Sequence, residues 1–337
     1  MKKNNILLVG AFSPNPSIYT YASSFYNALQ QLGYNVTPYN YRYNLFSWNN
    51  YLNNQYLITT VQKAKPDLIF LIKAETITAK TLDYIKKTYG STIVNFYPDN
   101  PFVLWNGNSN AEVLKSLPLY DCFLSWSKIL IPALQSTGCK QVYYFPFAYD
   151  EELFVEQITI TEQDEAKYTA DICFIGTWEP MREQWLSQLV QRLPSLSLAI
   201  YGNQWNTKCI DTVLKKSIRG PAVYKQEMIK AFRLSKIVLN FIRQQNTTSH
   251  NMRTFEVPAS KAFLLTERTT EQAQELFIEN ENIACFSTPD ELIRKIEYYL
   301  NNEQERQRIL INSYKRSKDF TLKKHLASYL KTNLLLS

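Results

Sequence analysis

Short unbroken apolar runs alternate along this chain with longer stretches in which apolar residues recur every three or four positions. An unbroken run bounded by turn residues is a strand covered on both faces, and a period of 3.6 residues is a helix with one buried face. Residues 6–10 form such a run. A turn-rich segment at 13–17 and an amphipathic stretch to Leu32 follow, and Gly33 stops that helix before a second run at 34–38. Beyond this βαβ opening the pattern predicts strands at 67–72, 92–97, 120–126 and 141–145, with helices at 76–87, 110–117 and 128–136. Residues 159–167 have no apolar period and read as a linker. A second series then begins: strands at 171–175, 196–201, 236–241 and 262–266, helices at 181–193, 224–234, 289–300 and 303–318, and shorter segments at 271–277 and 282–287. Alternation of this kind builds doubly wound parallel sheets, here two of them.

Composition agrees with that count. A chain of 337 residues with 45% hydrophobic content buries two ordinary cores. The 23 tyrosines and 18 phenylalanines are taken up mostly by packing, with a few tyrosines left to line a sugar-binding surface. The first strand-to-helix turn carries only Gly10 where a dinucleotide fingerprint needs three glycines, which disfavours a nicotinamide enzyme.

The formal net charge is +7, and residues 1–150 carry 12 Lys and Arg against 7 Asp and Glu. That excess suits an anionic acceptor or peripheral contact with a membrane surface, but no run of four basic residues occurs and a solvated face ranks ahead of both. Five cysteines, widely spaced and without a C-x-x-C, argue against a zinc site or disulfide framework and for a reducing, cytoplasmic compartment. The apolar run after Lys2 and Lys3 imitates a leader but ends early in SPNPS, so it reads as a buried first strand. No apolar stretch approaches the roughly 18 residues that span a bilayer.

Ligands of doubly wound sheets sit beyond the carboxyl ends of the strands. In the first half two places qualify: the loop at 11–16, with Phe12, and the turn Pro98-Asp99-Asn100-Pro101. Asp99 and Asn100 between prolines form a turn, or else they bind the acceptor, with Asp99 orienting, or taking a proton from, the attacking hydroxyl. In the second half, Gly176 and Thr177 lead into a helix with Arg182 in its first turn, an unfavourable place for a cation unless an anion sits there; Glu179 is the alternative partner. Gly202 and Trp205 form the next turn, where an aromatic ring and amides offer contacts to a base or sugar.

The densest polar cluster is His250, Asn251, Arg253 and Glu256. Met252, Phe255 and Ala259 give a short helix one apolar face, Ser249 and the threonines before it are N-cap types, and Pro258 forces a late start near Thr254 or a bend. Free N–H groups and the helix dipole would then point with His250 and Arg253 at a diphosphate, while Glu256 suits the neutral hydroxyls of a ribose. The plainer reading is an i,i+3 ion pair between Arg253 and Glu256 beside a loop histidine.

The string HNMRTFEVPASKAFLLTE resembles the signature of the CgeB-like (spore maturation protein) glycosyltransferases, a GT-B group. ADICFIGTWEPMREQWL, LAIYGNQW, ELF and DELIRKIEYYLNNEQERQRI resemble other segments of the family in the same order, so the likeness covers most of residues 170–320. Two positions depart from it: Lys261 stands where the family has a glycine, and Thr248 stands eight residues before Glu256 where many retaining relatives carry a second glutamate. The first departure bears on backbone approach to a ligand. The second leaves Glu256 a ribose-binding role only.

The resemblance implies two Rossmann-like domains facing across a cleft: an acceptor domain at 1–160, a donor domain at 168–318, and a segment at 319–337 crossing back to the first, with the junction at 143–154. It implies transfer of a sugar from a nucleotide-diphosphate donor to a hydroxyl of a saccharide, protein or other acceptor. The donor is a substrate, and no cofactor is expected. The chain contains no Asp-x-Asp, so no metal is expected either. A non-catalytic sugar-nucleotide or glycan-binding protein and a nucleic-acid glycosyltransferase are the alternatives; Lys261 and Thr248 speak for the former and the basic first half for the latter.

Overall fold

A computed structural model of the chain describes residues 5–15, 20–42, 50–104, 108–154, 157–243 and 248–333. Pro16 of the first candidate loop and residues 244–247 lie outside the described residues. The chain divides into two compact units, the described residues of 1–150, 244–248 and 321–337 and those of 151–243 and 249–320.

In the first unit, β1 (Asn5–Gly10), β2 (Asn35–Asn40), β3 (Leu68–Ile72), β4 (Thr92–Tyr97), β5 (Cys122–Ser125) and β6 (Val142–Tyr144) form one sheet in the order β2-β1-β3-β4-β5-β6. Every pairing is parallel. Parallel strands need crossovers on both faces, which is why all five residues of β3 are buried and apolar. Helix Tyr21–Gln31 covers one face: Thr20 caps it by accepting from the Ser23 N–H, and Phe25 packs on Phe70 and Phe96 at 5.4 and 5.5 Å between ring centroids. A cap of this kind contributes about 1 kcal/mol.

The last helix, Leu322–Asn333, belongs to this unit. Its start is tied down by the Leu322 N–H, which donates to the Tyr149 carbonyl at 2.9 Å. Phe145 lies edge-on to His325, and Tyr143 to Tyr329.

In the second unit, β7 (Ala170–Ile175), β8 (Leu198–Tyr201), β9 (Ile218–Gly220), β10 (Ser235–Asn240), β11 (Leu264–Glu267) and β12 (Ala284–Phe286) run in the order β12-β11-β10-β7-β8-β9, again all parallel. The chain leaves β7 to one side and returns on the other at β10, so the topological switch point lies between these two strands. In the first unit it lies between β1 and β3.

Three elements differ from the expectation. Helix Asn50–Ala64 is missing from the sequence reading because its outer face carries Tyr51, Leu52 and Tyr56 in water, which blurs the apolar period. The supposed linker holds helix Glu162–Tyr168: Thr161 and Asp164 form a reciprocal capping box, and Asp164 is ion-paired to Lys230 at 3.0 Å. Strand β9 is too short to leave a pattern. All five cysteines are buried and unpaired, and no helix among the described residues is long and apolar enough to cross a membrane.

Candidate functional site

At the switch point of the second unit, the turn after β7 and the loop after β10 bring charges together. Helix Pro180–Arg192 starts with proline at its first position and no side-chain cap, and Arg182 lies in its first turn, 6% exposed. Its Nη1 donates to the Thr177 carbonyl at 2.7 Å and stands 3.5 Å from Glu179. Glu179 also takes the Arg243 Nε at 2.8 Å, so one carboxylate bridges two guanidiniums. Burial, together with the charges of Arg243 and Arg253, pushes Arg182 down to about 10 against the pull of Glu179 and Glu267. Arg243 and Glu267 were not singled out by sequence. Arg243 closes an apolar run, and Glu267 ends β11, where its Oε2 accepts from the Ile242 N–H at 2.9 Å. Burial raises the Glu267 carboxyl above its ordinary value.

Arg253 and Glu256 are ion-paired, as the plainer reading had it. Glu256 is 7% exposed and the Arg253 guanidinium lies over the Phe232 ring. The buried Nε atoms of Arg182 and Arg253 find no hydrogen-bond partner among the described residues. An unsatisfied buried donor costs about 1–3 kcal/mol, so two of them in one charge cluster are an unusual local expense.

The expected helix-terminus receptor is not there. Helix Arg253–Ala259 has seven residues, with Pro258 next to last, where it has no N–H to give the Thr254 carbonyl and so limits the helix. Asn251 Oδ1 takes the Arg253 N–H at 3.0 Å, the Asn251 carbonyl takes Thr254, and the Met252 carbonyl takes Phe255 and Glu256. The N–H groups are used up by the preceding turn. The Asn251 amide donates to Asn240 Oδ1 at 2.9 Å and to the Phe241 carbonyl at 3.2 Å, so Asn251 stitches the helix to β10.

His250 corrects the expectation further. Its ring is fully buried, Nδ1 lies 3.0 Å from Ser249 Oγ and 3.2 Å from Glu271 Oε2, and Phe255 meets it edge-on. Burial lowers its pKa against the pull of Glu271, so it is held neutral rather than offered as a cation.

Trp205 is also a core residue: it is fully buried and its indole Nε1 donates to the Gly176 carbonyl at 2.8 Å. Gly202 serves the same packing, since a Cβ on it would stand 1.9 Å from the Gly176 oxygen. Lys261 explains its own departure from the family pattern. Its φ is +57°, just past the end of the helix, and its N–H closes the turn onto Pro258. Glycine is favoured there for backbone conformation, which is separate from any approach to a ligand.

In the first unit, Asp99 is ion-paired to Lys73 at 2.6 Å, across the carboxyl ends of β4 and β3. Lys73 and Ala74 both lie in the left-handed region, at φ +64° and +55°. Two such residues in succession store strain that is typical of functional turns. Lys73 left no signal in the sequence, because its place is set by a contact with β4, its N–H donating to the Phe96 carbonyl at 2.9 Å. Asn100 is a turn former, its Oδ1 accepting from the Phe102 N–H and its carbonyl from Asn108. The Phe12 carbonyl accepts from Asn40 at 2.6 Å, and its ring lies against the Gly10 turn. No group of three or more metal-ligating side chains occurs among the described residues.

With this geometry in place, comparison with known proteins is informative. Residues 182–335 match a family model described as glycosyl transferase-like. No curated protein matches the chain. Among solved structures, sucrose-phosphate synthase from Thermosynechococcus elongatus is similar at 11% identity over 99% of both chains, with a TM-score of 0.70. A glycosyltransferase from Rickettsia africae ESF-5 is similar at 12% identity over 99% of this chain and 98% of its own, with a TM-score of 0.69. Anabaena HepE, in complex with UDP-glucose, is similar at 12% identity over 97% and 98%, with a TM-score of 0.66. The chain thus has the GT-B fold.

Proposed function

We propose that the protein is a glycosyltransferase of the CgeB-like kind that moves a sugar, of hexose type, from a nucleotide-diphosphate donor to a hydroxyl acceptor without a metal. The observation that carries this reading is the pair of unsatisfied buried donors, Arg182 Nε and Arg253 Nε, in the charge cluster at the second unit's switch point. The glycosyl transferase-like match over residues 182–335 and the nucleotide-bound HepE structures support it. In the reaction the bond from the anomeric carbon to the diphosphate oxygen breaks, and a bond from that carbon to the acceptor oxygen forms. The acceptor's proton passes to a base. Negative charge grows on the departing diphosphate, and preorganised guanidiniums at Arg182, Arg243 and Arg253 stabilise it. Glu256, released from Arg253 as the guanidinium turns to phosphate, takes the ribose hydroxyls.

His250 and Asn251 support this cluster from behind through Ser249, Glu271 and Asn240. Asp99 is the candidate base, kept in register by Lys73. The compartment in this reading is the cytoplasm, and the acceptor is a saccharide, ahead of protein or nucleic acid.

Thermal shift against UDP-, GDP-, dTDP-, ADP- and CMP-sugars, with Arg253→Ala alongside, tests the reading. One nucleotide should raise Tm in the wild type and fail to do so in the variant. Transfer should persist in EDTA. No shift with any nucleotide, or an activity that EDTA abolishes and manganese restores, would overturn the corresponding part.

A further inference from the structure

The carboxyl edge of the first unit's sheet carries a surface that donor chemistry leaves unused. Helices Asn50–Ala64, Ala79–Tyr89 and Ala111–Ser116 follow β2, β3 and β4, and a groove of about 660 Å³ opens among their N-terminal turns. Buried Asn54 fastens its walls together: its amide donates to the Asn50 and Thr76 carbonyls at 2.6 and 3.0 Å, and its Oδ1 accepts from the Thr78 N–H at 2.9 Å. Glu112 completes the frame by accepting from the Ala79 N–H at 3.3 Å. The groove is therefore held by hydrogen bonds between elements and does not depend on surface side chains alone.

Its lining is aromatic and polar. Tyr51 and Tyr84 are 69% and 48% exposed, Asn50 and Gln55 offer amides that both donate and accept, and Ile58 is the one aliphatic residue. A protein partner requires a larger apolar centre. A polyanion requires several uncompensated cations, whereas among the described residues Lys80 is the one cation in this lining and Glu112 stands in it as well. Flat rings with wet edges, flanked by neutral donors and acceptors, fit the apolar faces and hydroxyl rims of sugar rings.

We propose that this groove binds an uncharged oligosaccharide. The inference rests on the glycosyltransferase reading and extends it. Thr78 on the groove wall is five residues beyond Lys73, the partner of Asp99, so the connecting chain spans at most ~17 Å. Sugar units distal to the reacting hydroxyl occupy the groove, and the acceptor is a saccharide chain and not a single sugar.

The test applies wild type and Tyr51→Ala/Tyr84→Ala to an array of neutral glucan, mannan, galactan and chitin oligosaccharides, disaccharide to hexasaccharide, with single-stranded DNA as a control. Thermal shift with UDP-, GDP-, dTDP-, ADP- and CMP-sugars is run on both proteins. Wild type should retain at least one glycan series more tightly as it lengthens, and the double variant should lose about tenfold or more of that affinity while keeping its nucleotide shift. Equal retention by the variant, retention of DNA in place of glycan, or no glycan retained by a wild type that still responds to nucleotide would each overturn the proposal. A wild type that answers to glycan and to no nucleotide would sink the donor reading and leave the groove standing.

Discussion

Gly202 packs so closely on Gly176 that a Cβ at position 202 would stand 1.9 Å from the Gly176 carbonyl oxygen and 2.7 Å from its carbon. The obstacle is backbone, so no rotamer change relieves it. The same oxygen takes the Trp205 indole, and the Trp178 N–H crosses to the Asn203 carbonyl at 3.0 Å, which locks the turns after β7 and β8 into one body. Gly202→Ala should destabilise the protein by about 1–3 kcal/mol or more. Urea unfolding measures it; a variant within experimental error of wild type would show that the turns separate freely.

His250 makes stability depend on pH. Its folded-state pKa lies below the ordinary 6.5 because of burial. Above 6.5 both states hold the ring neutral and its contribution is present in full. As pH falls from 6.5 toward the folded value, the unfolded chain takes up a proton that the folded chain refuses, and stability drops by up to about 1.4 kcal/mol per pH unit. His250→Gln should remove that component. Denaturation midpoints of wild type and variant at pH 7 and pH 5 should show the variant losing less on acidification.

Asp99 and Lys73 predict a split between chemistry and donor binding. Asp99→Asn should lower turnover by about 10²–10⁴ if the carboxylate takes the acceptor proton. Donor affinity by calorimetry should stay at the wild-type value, because Asp99 belongs to the first unit and the charge cluster to the second. Lys73→Met should lower turnover as well, since it removes the cation that stands 2.6 Å from that carboxylate. Unchanged turnover in Asp99→Asn would leave Asp99 a turn residue.

At Lys261 the φ of +57° costs a side chain about 1–2 kcal/mol, offset in part by the ammonium lying 4.8 Å from the Tyr314 ring centre. Lys261→Gly should match or exceed wild-type stability, and Lys261→Val should fall below it by about 1 kcal/mol or more. Both should keep their nucleotide response. A glycine variant that loses nucleotide binding would return this position to the ligand.

The sequence by itself determined the two βαβ series, because parallel sheets covered on both faces need apolar runs such as LIFLI, and the turns between them are marked by glycine and proline. Arg182, Arg253 and Glu256, which it singled out, lie in one charge cluster. What the sequence lacked was which atoms remain available. The fates of Asn251 and the N–H groups of helix Arg253–Ala259, the burial of His250 and Trp205, and the entry of Arg243, Glu267 and Lys73 into the sites depend on contacts between segments far apart in the chain. Local pattern records which face a residue prefers. Only the closing of the sheets decides whether its polar atoms meet a partner or are left for a ligand, because that depends on distances the chain acquires when strands such as β7 and β10 come to lie side by side.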